Sequence, residues 1–244
     1  MPAIGIDHVQ FSVPDLTAST EFLQRLGWEL EFCEPNFART ERPYFREIGK
    51  SMAYLKQGRA AIELIDASDR AGSASWLPVF SGHVPGQQCE EVETPFEKLE
   101  VEVQELGTRC LCVDAEAEQV QLEQVVLRSA DPESSAAFLE SLGFRREAIG
   151  DVLQLRFPAS IIGMGLTVSI IPGDVASGDF VDDLGLCLIA LISKDLEADL
   201  AELRAGGFET TDIFNYQING RSISNLISRG PSGEMIELIQ IGRA

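Results

Sequence analysis

Residues 7–15 read Asp7-His8-Val9-Gln10-Phe11-Ser12-Val13-Pro14-Asp15, and the fold can be worked outward from this stretch. The run from Val9 to Val13 has strand character, and Asp15 is placed to cap a helix that starts immediately after it. Leu16, Ser19, Leu23 and Leu26 then recur at helical spacing and Phe22 widens the apolar face. Gly27 suits the left-handed position that ends a helix. Beyond the glycine the chain reads as strands at Trp28–Cys33, Tyr44–Leu55 with a break at Gly49, and Ala60–Ile65. One unit is therefore β, α, β, β, β.

The unit recurs. Residues 123–131, Glu123-Gln124-Val125-Val126-Leu127-Arg128-Ser129-Ala130-Asp131, follow residues 7–15 at a constant offset of 116, which continues through Phe138, Leu139, Leu142, Gly143 and Phe144. A further copy at an offset of 180 brings Asp195, Leu196, Gly207 and Phe208 onto Asp15, Leu16, Gly27 and Trp28. Its last strand, Met235-Ile236-Glu237-Leu238-Ile239, matches Ala61-Ile62-Glu63-Leu64-Ile65, glutamate on glutamate. Between residues 68 and 118 the pattern weakens. At an offset of 80, Pro95–Leu106 and Gly107 read as the helix and its glycine, with one clear strand, Thr108–Val113, behind them, and Ala67–Gly86 reads as a long loop. The expected organisation is an N-terminal unit, residues 1–118, with modules at about 4–67 and 83–118, the second truncated. A C-terminal unit, residues 119–244, holds modules at about 120–173 and 184–242.

Composition removes whole classes of function. The 244 residues are 45% hydrophobic, enough for a substantial core, and no stretch approaches the roughly 18 uninterrupted apolar residues of a bilayer span. With 39 acidic against 19 basic residues the formal charge is −20, which repels nucleic acid and anionic lipid. A cytoplasmic protein with neither partner is expected. Cys33, Cys89, Cys110, Cys112 and Cys187 lack paired zinc-site spacing, and Cys110 and Cys112 point to one face of a strand as packing residues. No dinucleotide-binding, P-loop, nucleophile-elbow or HExxH zinc motif is present.

The opening at residues 7–15 with Phe22 and Leu26-Gly27, and the close Gly230-Pro231-Ser232-Gly233-Glu234-Met235-Ile236-Glu237-Leu238, resemble the two ends of a vicinal oxygen chelate module. This is the superfamily of glyoxalases, bleomycin-resistance proteins and extradiol dioxygenases. The resemblance covers residues 4–67 and 120–242. It implies an α+β fold in which βαβββ modules pair into two half-barrel, glyoxalase-like units, with a small-molecule ligand in the cup of each. It also implies a divalent metal (Fe, Mn, Zn or Ni, or none at all where ligands have been lost) held on the first and last strands.

Carried over residue by residue, the resemblance puts His8 and Glu63 at the ligand positions of module one. The matching first-strand positions elsewhere hold Gln88, Gln124 and Leu188, and the matching last-strand positions hold Ser169 and Glu237. Pairing modules one and two gathers His8, Glu63 and Gln88, with a partner chain in a homodimer supplying what is missing. Pairing the terminal modules instead gathers His8, Glu63 and Glu237, two carboxylates and an imidazole, with a glutamate able to ligate or to shuttle a proton. Sequence leaves both open. Two readings stand for His8, metal ligand or structurally bonded cavity residue. Tyr44, Phe45, Arg46, Tyr54, Phe214, Tyr216 and Arg221 are candidates to clamp a planar or anionic ligand. His83 falls on no ligand position, and two histidines are too few for an extradiol dioxygenase. The function classes left are a metal-dependent isomerase, lyase or dioxygenase acting on a small oxygenated molecule, and a metal-free protein that sequesters a drug or metabolite.

Overall fold

The computed structural model describes residues 3–38, 41–67, 76–85, 87–88, 99–113, 119–149, 152–173 and 180–242. Module one runs β1 (Gly5–Val13), α1 (Leu16–Arg25), β2 (Glu29–Ala38), β3 (Lys50–Gln57) and β4 (Ala60–Asp66). In β1 the alternation buries Val9, Phe11 and Val13 with Phe22 and Leu23 of the helix in the main core, and turns His8, Gln10 and Ser12 to the opposite face. Asp15 accepts a hydrogen bond from the Ala18 amide and starts the helix; Gly27, at φ 93°, ends it. Strand β3 starts at Lys50 rather than Tyr44. Tyr44 and Gly49 both have positive φ, so the chain bends through residues 44–49 before it can pair.

Module two is β5 (Trp76–Ser81), β6 (Gln87–Gln88), β7 (Leu99–Val103), a 3-10 turn (Gln104–Leu106) and β8 (Thr108–Val113). This corrects the sequence reading in two ways. The strand Trp76–Ser81 lies inside the stretch read as loop, and residues 99–106, read as helix, are strand and turn. Four strands are kept, and among the described residues no helix lies between β5 and β7. The apolar alternation of Leu99-Glu100-Val101-Glu102-Val103 explains the outcome, since it has the period of two that suits a strand. Gly107 still takes the left-handed conformation, φ 61°, but closes the 3-10 turn.

Module three is β9 (Gln121–Ser129), α2 (Pro132–Ser141), β10 (Arg145–Ile149), β11 (Val152–Phe157) and β12 (Leu166–Pro172). Module four is β13 (Gly185–Ile192), α3 (Leu196–Ala205), β14 (Glu209–Thr210), β15 (Phe214–Ile218), β16 (Arg221–Arg229) and β17 (Met235–Ile241). Asp131 and Asp195 cap their helices as Asp15 does.

Strand pairing decides where the modules meet. β1 pairs antiparallel with β13 and parallel with β4, while β13 pairs parallel with β17. One cup therefore reads β2-β3-β4-β1-β13-β17-β16-β15 and joins the two terminal modules. The other reads β10-β11-β12-β9-β5-β8-β7-β6 and joins modules two and three. The expected division at residue 118 is thus corrected: the second cup is nested within the first. A self-similar repeat specifies each module's internal pairing, but leaves the edge-to-edge partner to long-range register. Leu186 pairs with Trp76 and links the cups into one sheet. The architecture is α+β, a mixed sheet carrying three helices among the described residues.

Candidate functional site

The outer cup collects three ionisable residues from three strands. His8 on β1 lies opposite Ala190 on β13, and Ala190 lies opposite Glu237 on β17. His8 and Glu237 are therefore two strands apart, about 10 Å between backbones, with only a methyl group between them. Glu63 enters from β4, where it aligns with Gln10, one inward-facing position along from His8. All three are buried: His8 is 4% exposed, Glu63 8% and Glu237 7%.

Each is held differently. His8 Nδ1 lies 2.8 Å from Asp7 Oδ2, which also accepts a hydrogen bond from the Tyr54 hydroxyl at 3.0 Å. That fixes the imidazole and leaves Nε2, which has no hydrogen-bond partner among the described residues, 3.7 Å from Glu63 Oε2. Glu237 Oε1 accepts from Asn225 Nδ2 and, at 3.4 Å, from the Tyr216 hydroxyl. Among the described residues Glu63 has its His8 contact and no hydrogen bond tying its carboxylate in place. Burial raises the Glu63 carboxyl, Glu237 and Asp7 add to it, and His8 and Arg42 oppose, leaving it at about 7. Burial pushes His8 down, but Glu63, Asp7 and Glu237 outweigh it and lift it to about 9. Burial likewise raises Glu237 against the pull of His8 and Asn225.

A cavity of about 180 Å³ opens onto this cluster, walled by Phe32, Tyr54, Tyr216 and Ile239, with Lys56 and Arg221 at its polar edge. Phe32 and Tyr54 stack at 5.3 Å. The structure thus brings together His8, Glu63, Glu237, Tyr54, Tyr216 and Arg221. It does not bring in Gln124, which lies in the inner cup on β9, where its Nε2 and the Ser169 Oγ are buried without partners. Gln88 is on β6, the edge strand of that cup. Leu188 packs in an apolar cluster with Val181, Ile227 and Met235. His83 is exposed. Asp7, Asn225 and Arg42 were missed in the sequence. The adjacency of Asp7 and His8 was the one available signal, since a carboxylate next to an imidazole can fix its tautomer.

Among the described residues there is no group of three or more His, Cys, Asp or Glu side chains set to hold a metal ion. The donor chemistry nonetheless suits one. Two donors each about 2.1 Å from a shared ion at a tetrahedral angle lie about 3.4 Å apart, close to the 3.7 Å between His8 and Glu63. The partnerless Nε2 supplies the open valence, and Asp7 supplies the outer carboxylate that metal-binding histidines commonly need. A neutral imidazole with one or two carboxylates suits Fe, Mn, Zn or Ni.

Paired βαβββ modules forming eight-stranded cups are the fold of the vicinal oxygen chelate superfamily, and this chain has that fold. Two variants of glyoxalase I from Zea mays superpose with TM-scores of 0.64 at 17% identity, over 97% of this chain and 92% and 93% of theirs. A candidate dioxygenase from Bacillus subtilis superposes with a TM-score of 0.64 at 16% identity, over 100% of this chain and 87% of its own. At such identities the likeness is one of fold. No protein-family model matches the sequence, and no curated protein matches it. Among the described residues no helix is long and apolar enough to cross a membrane.

Proposed function

We propose that the outer cup is a divalent-cation site and that the protein is a metal-dependent isomerase, lyase or dioxygenase acting on a small oxygenated organic molecule. One observation carries the reading: a buried imidazole nitrogen with no partner, oriented by Asp7 and aimed at a buried carboxylate. A bound cation would supply Lewis-acid polarisation of a substrate oxygen. His8, fixed by Asp7, would hold it together with Glu63, whose Oε2 lies 3.7 Å from Nε2, and Glu237, fixed by Asn225 and Tyr216, would be the further carboxylate. Glu63, untethered and titrating near neutral pH, is the residue to take a proton at Oε2 and return it, completing the ligand set when it is not so engaged. The cytoplasmic setting and the exclusion of nucleic acid and membrane partners remain part of this proposal, on the charge of −20.

Metal content of the purified protein, with and without added Mn, Fe, Ni or Zn, tests it. About one ion per chain, lost in His8→Ala, is the expected result. A second reading, a metal-free binding protein, is favoured by Leu188 standing at the fourth ligand position. It would be supported by ligand affinity unchanged in His8→Ala and by no retained metal.

A further inference from the structure

Beside the cup lies a second chamber of about 420 Å³, lined by Phe37, Arg42, Asn215, Tyr216, Asn219 and their neighbours. Tyr216 and Asn219 belong to both cavities, so the two share a wall. Tyr216 connects them chemically as well. Its hydroxyl donates to Glu237, while its ring faces the Arg42 guanidinium at 4.3 Å.

Arg42 is held by aromatic faces. Its guanidinium lies between two aromatic faces, Tyr216 and, at 4.9 Å, Phe37. One Nη2 donates to the Phe37 carbonyl at 2.5 Å. Glu237 and Glu63 act on it electrostatically, but among the described residues no carboxylate forms an ion pair with it. By contrast Lys56 is engaged with Glu31 at 3.4 Å. Stacking spends the faces of a guanidinium and leaves its N–H edge, a planar fork matched to carboxylate or phosphate. A half-buried cation kept rigid by two rings and left without an anion is the complement of an anionic ligand.

We infer that the second chamber is an anion-binding site beside the outer cup, in which the carboxylate or phosphate of a planar organic anion sits against Arg42, across Tyr216 from Glu237. This rests on the reading of the cup as a reaction site and adds the class of molecule held next to it. It also accounts for how a protein of charge −20 admits an anion: the long-range field opposes entry, and the desolvated cation offsets it at contact.

The test is titration of the whole protein with benzoate, phenyl phosphate and the neutral analogue benzyl alcohol, followed by ligand-observed NMR, in parallel with Mn(II) binding. Benzoate or phenyl phosphate should bind more tightly than benzyl alcohol. Arg42→Gln should weaken that anion roughly tenfold or more, with Arg42→Lys between. Whichever anion binds better identifies carboxylate or phosphate as the headgroup. Equal binding of benzyl alcohol, no binding of either anion, or an Arg42→Gln protein that melts normally and binds the anion as before overturns the inference. Loss of Mn(II) binding by the parent with the anion preference intact would instead overturn the metal reading and leave the Arg42 assignment standing.

Discussion

Leaving a buried nitrogen such as His8 Nε2 unpaired costs about 1–3 kcal/mol, and Asp7 is what keeps the ring from turning to find a partner. Asp7→Asn is therefore expected to lower Mn(II) affinity about ten- to a hundredfold, measurable by calorimetry, while His8→Ala removes binding altogether. Protons compete for the same atoms. Glu63 at about 7 and His8 at about 9 both lie above their ordinary values, so in the metal-free protein their contribution to stability is present at low pH. It is lost as pH rises, through about 7 for Glu63 and about 9 for His8. Metal binding runs the other way, because ligands must shed protons first. Melting temperatures taken from pH 6 to 9 should show the increment due to Mn(II) growing with pH; an increment that shrinks would remove His8 from the ligand set. Of these residues Glu63 and Glu237 were legible in the sequence because the repeat aligns them, and His8 because residues 7–15 resemble the opening of a family module. Arg42 was not, because it lies in a connecting segment with no counterpart in the other modules.

The helices are started by a capping aspartate each and ended at a glycine with positive φ, φ 93° at Gly27, 105° at Gly143 and 81° at Gly207. Asp15→Ala should cost about 1 kcal/mol in urea denaturation and leave Mn(II) affinity alone, since α1 packs on the sheet face away from the cup. Gly107 is more crowded than Gly27 or Gly207. With φ 61° and a Cβ that would meet Leu184 at 2.9 Å and Pro14 at 3.1 Å, Gly107→Ala should cost more than about 1 kcal/mol. Equal stability of that variant would mean the junction between the cups can yield. These caps and glycines made modules one, three and four readable. Trp76–Ser81 escaped because Pro78 interrupts it and a Ser- and Gly-rich stretch precedes it, both signals of a loop.

At the scale of the molecule, the pairing of modules one and four means that neither half of the chain contains the outer cup. Residues 1–118 expressed alone leave β1 without β13, and should yield no folded Mn(II)-binding protein by circular dichroism and calorimetry. Co-expressed with residues 119–244, they should co-purify and regain the site. Folding and binding by the 1–118 fragment alone would mean the module pairing described above is wrong. Sequence could not reveal this nesting, because His8 fits a cup made with module two as well as one made with module four until strand register is known.

Nesting also orders events during synthesis. The inner cup has all its strands once β12 has left the ribosome, whereas β1, made first, waits for β13 and β17, made last. At about 5–20 residues per second the edge of β1 stays unpaired for roughly ten seconds or more, and a bare strand edge invites pairing with other chains. The first module is thus the part of the nascent chain most in need of a chaperone, and a ribosome that stops before β13 releases a protein with one finished cup and no candidate active site.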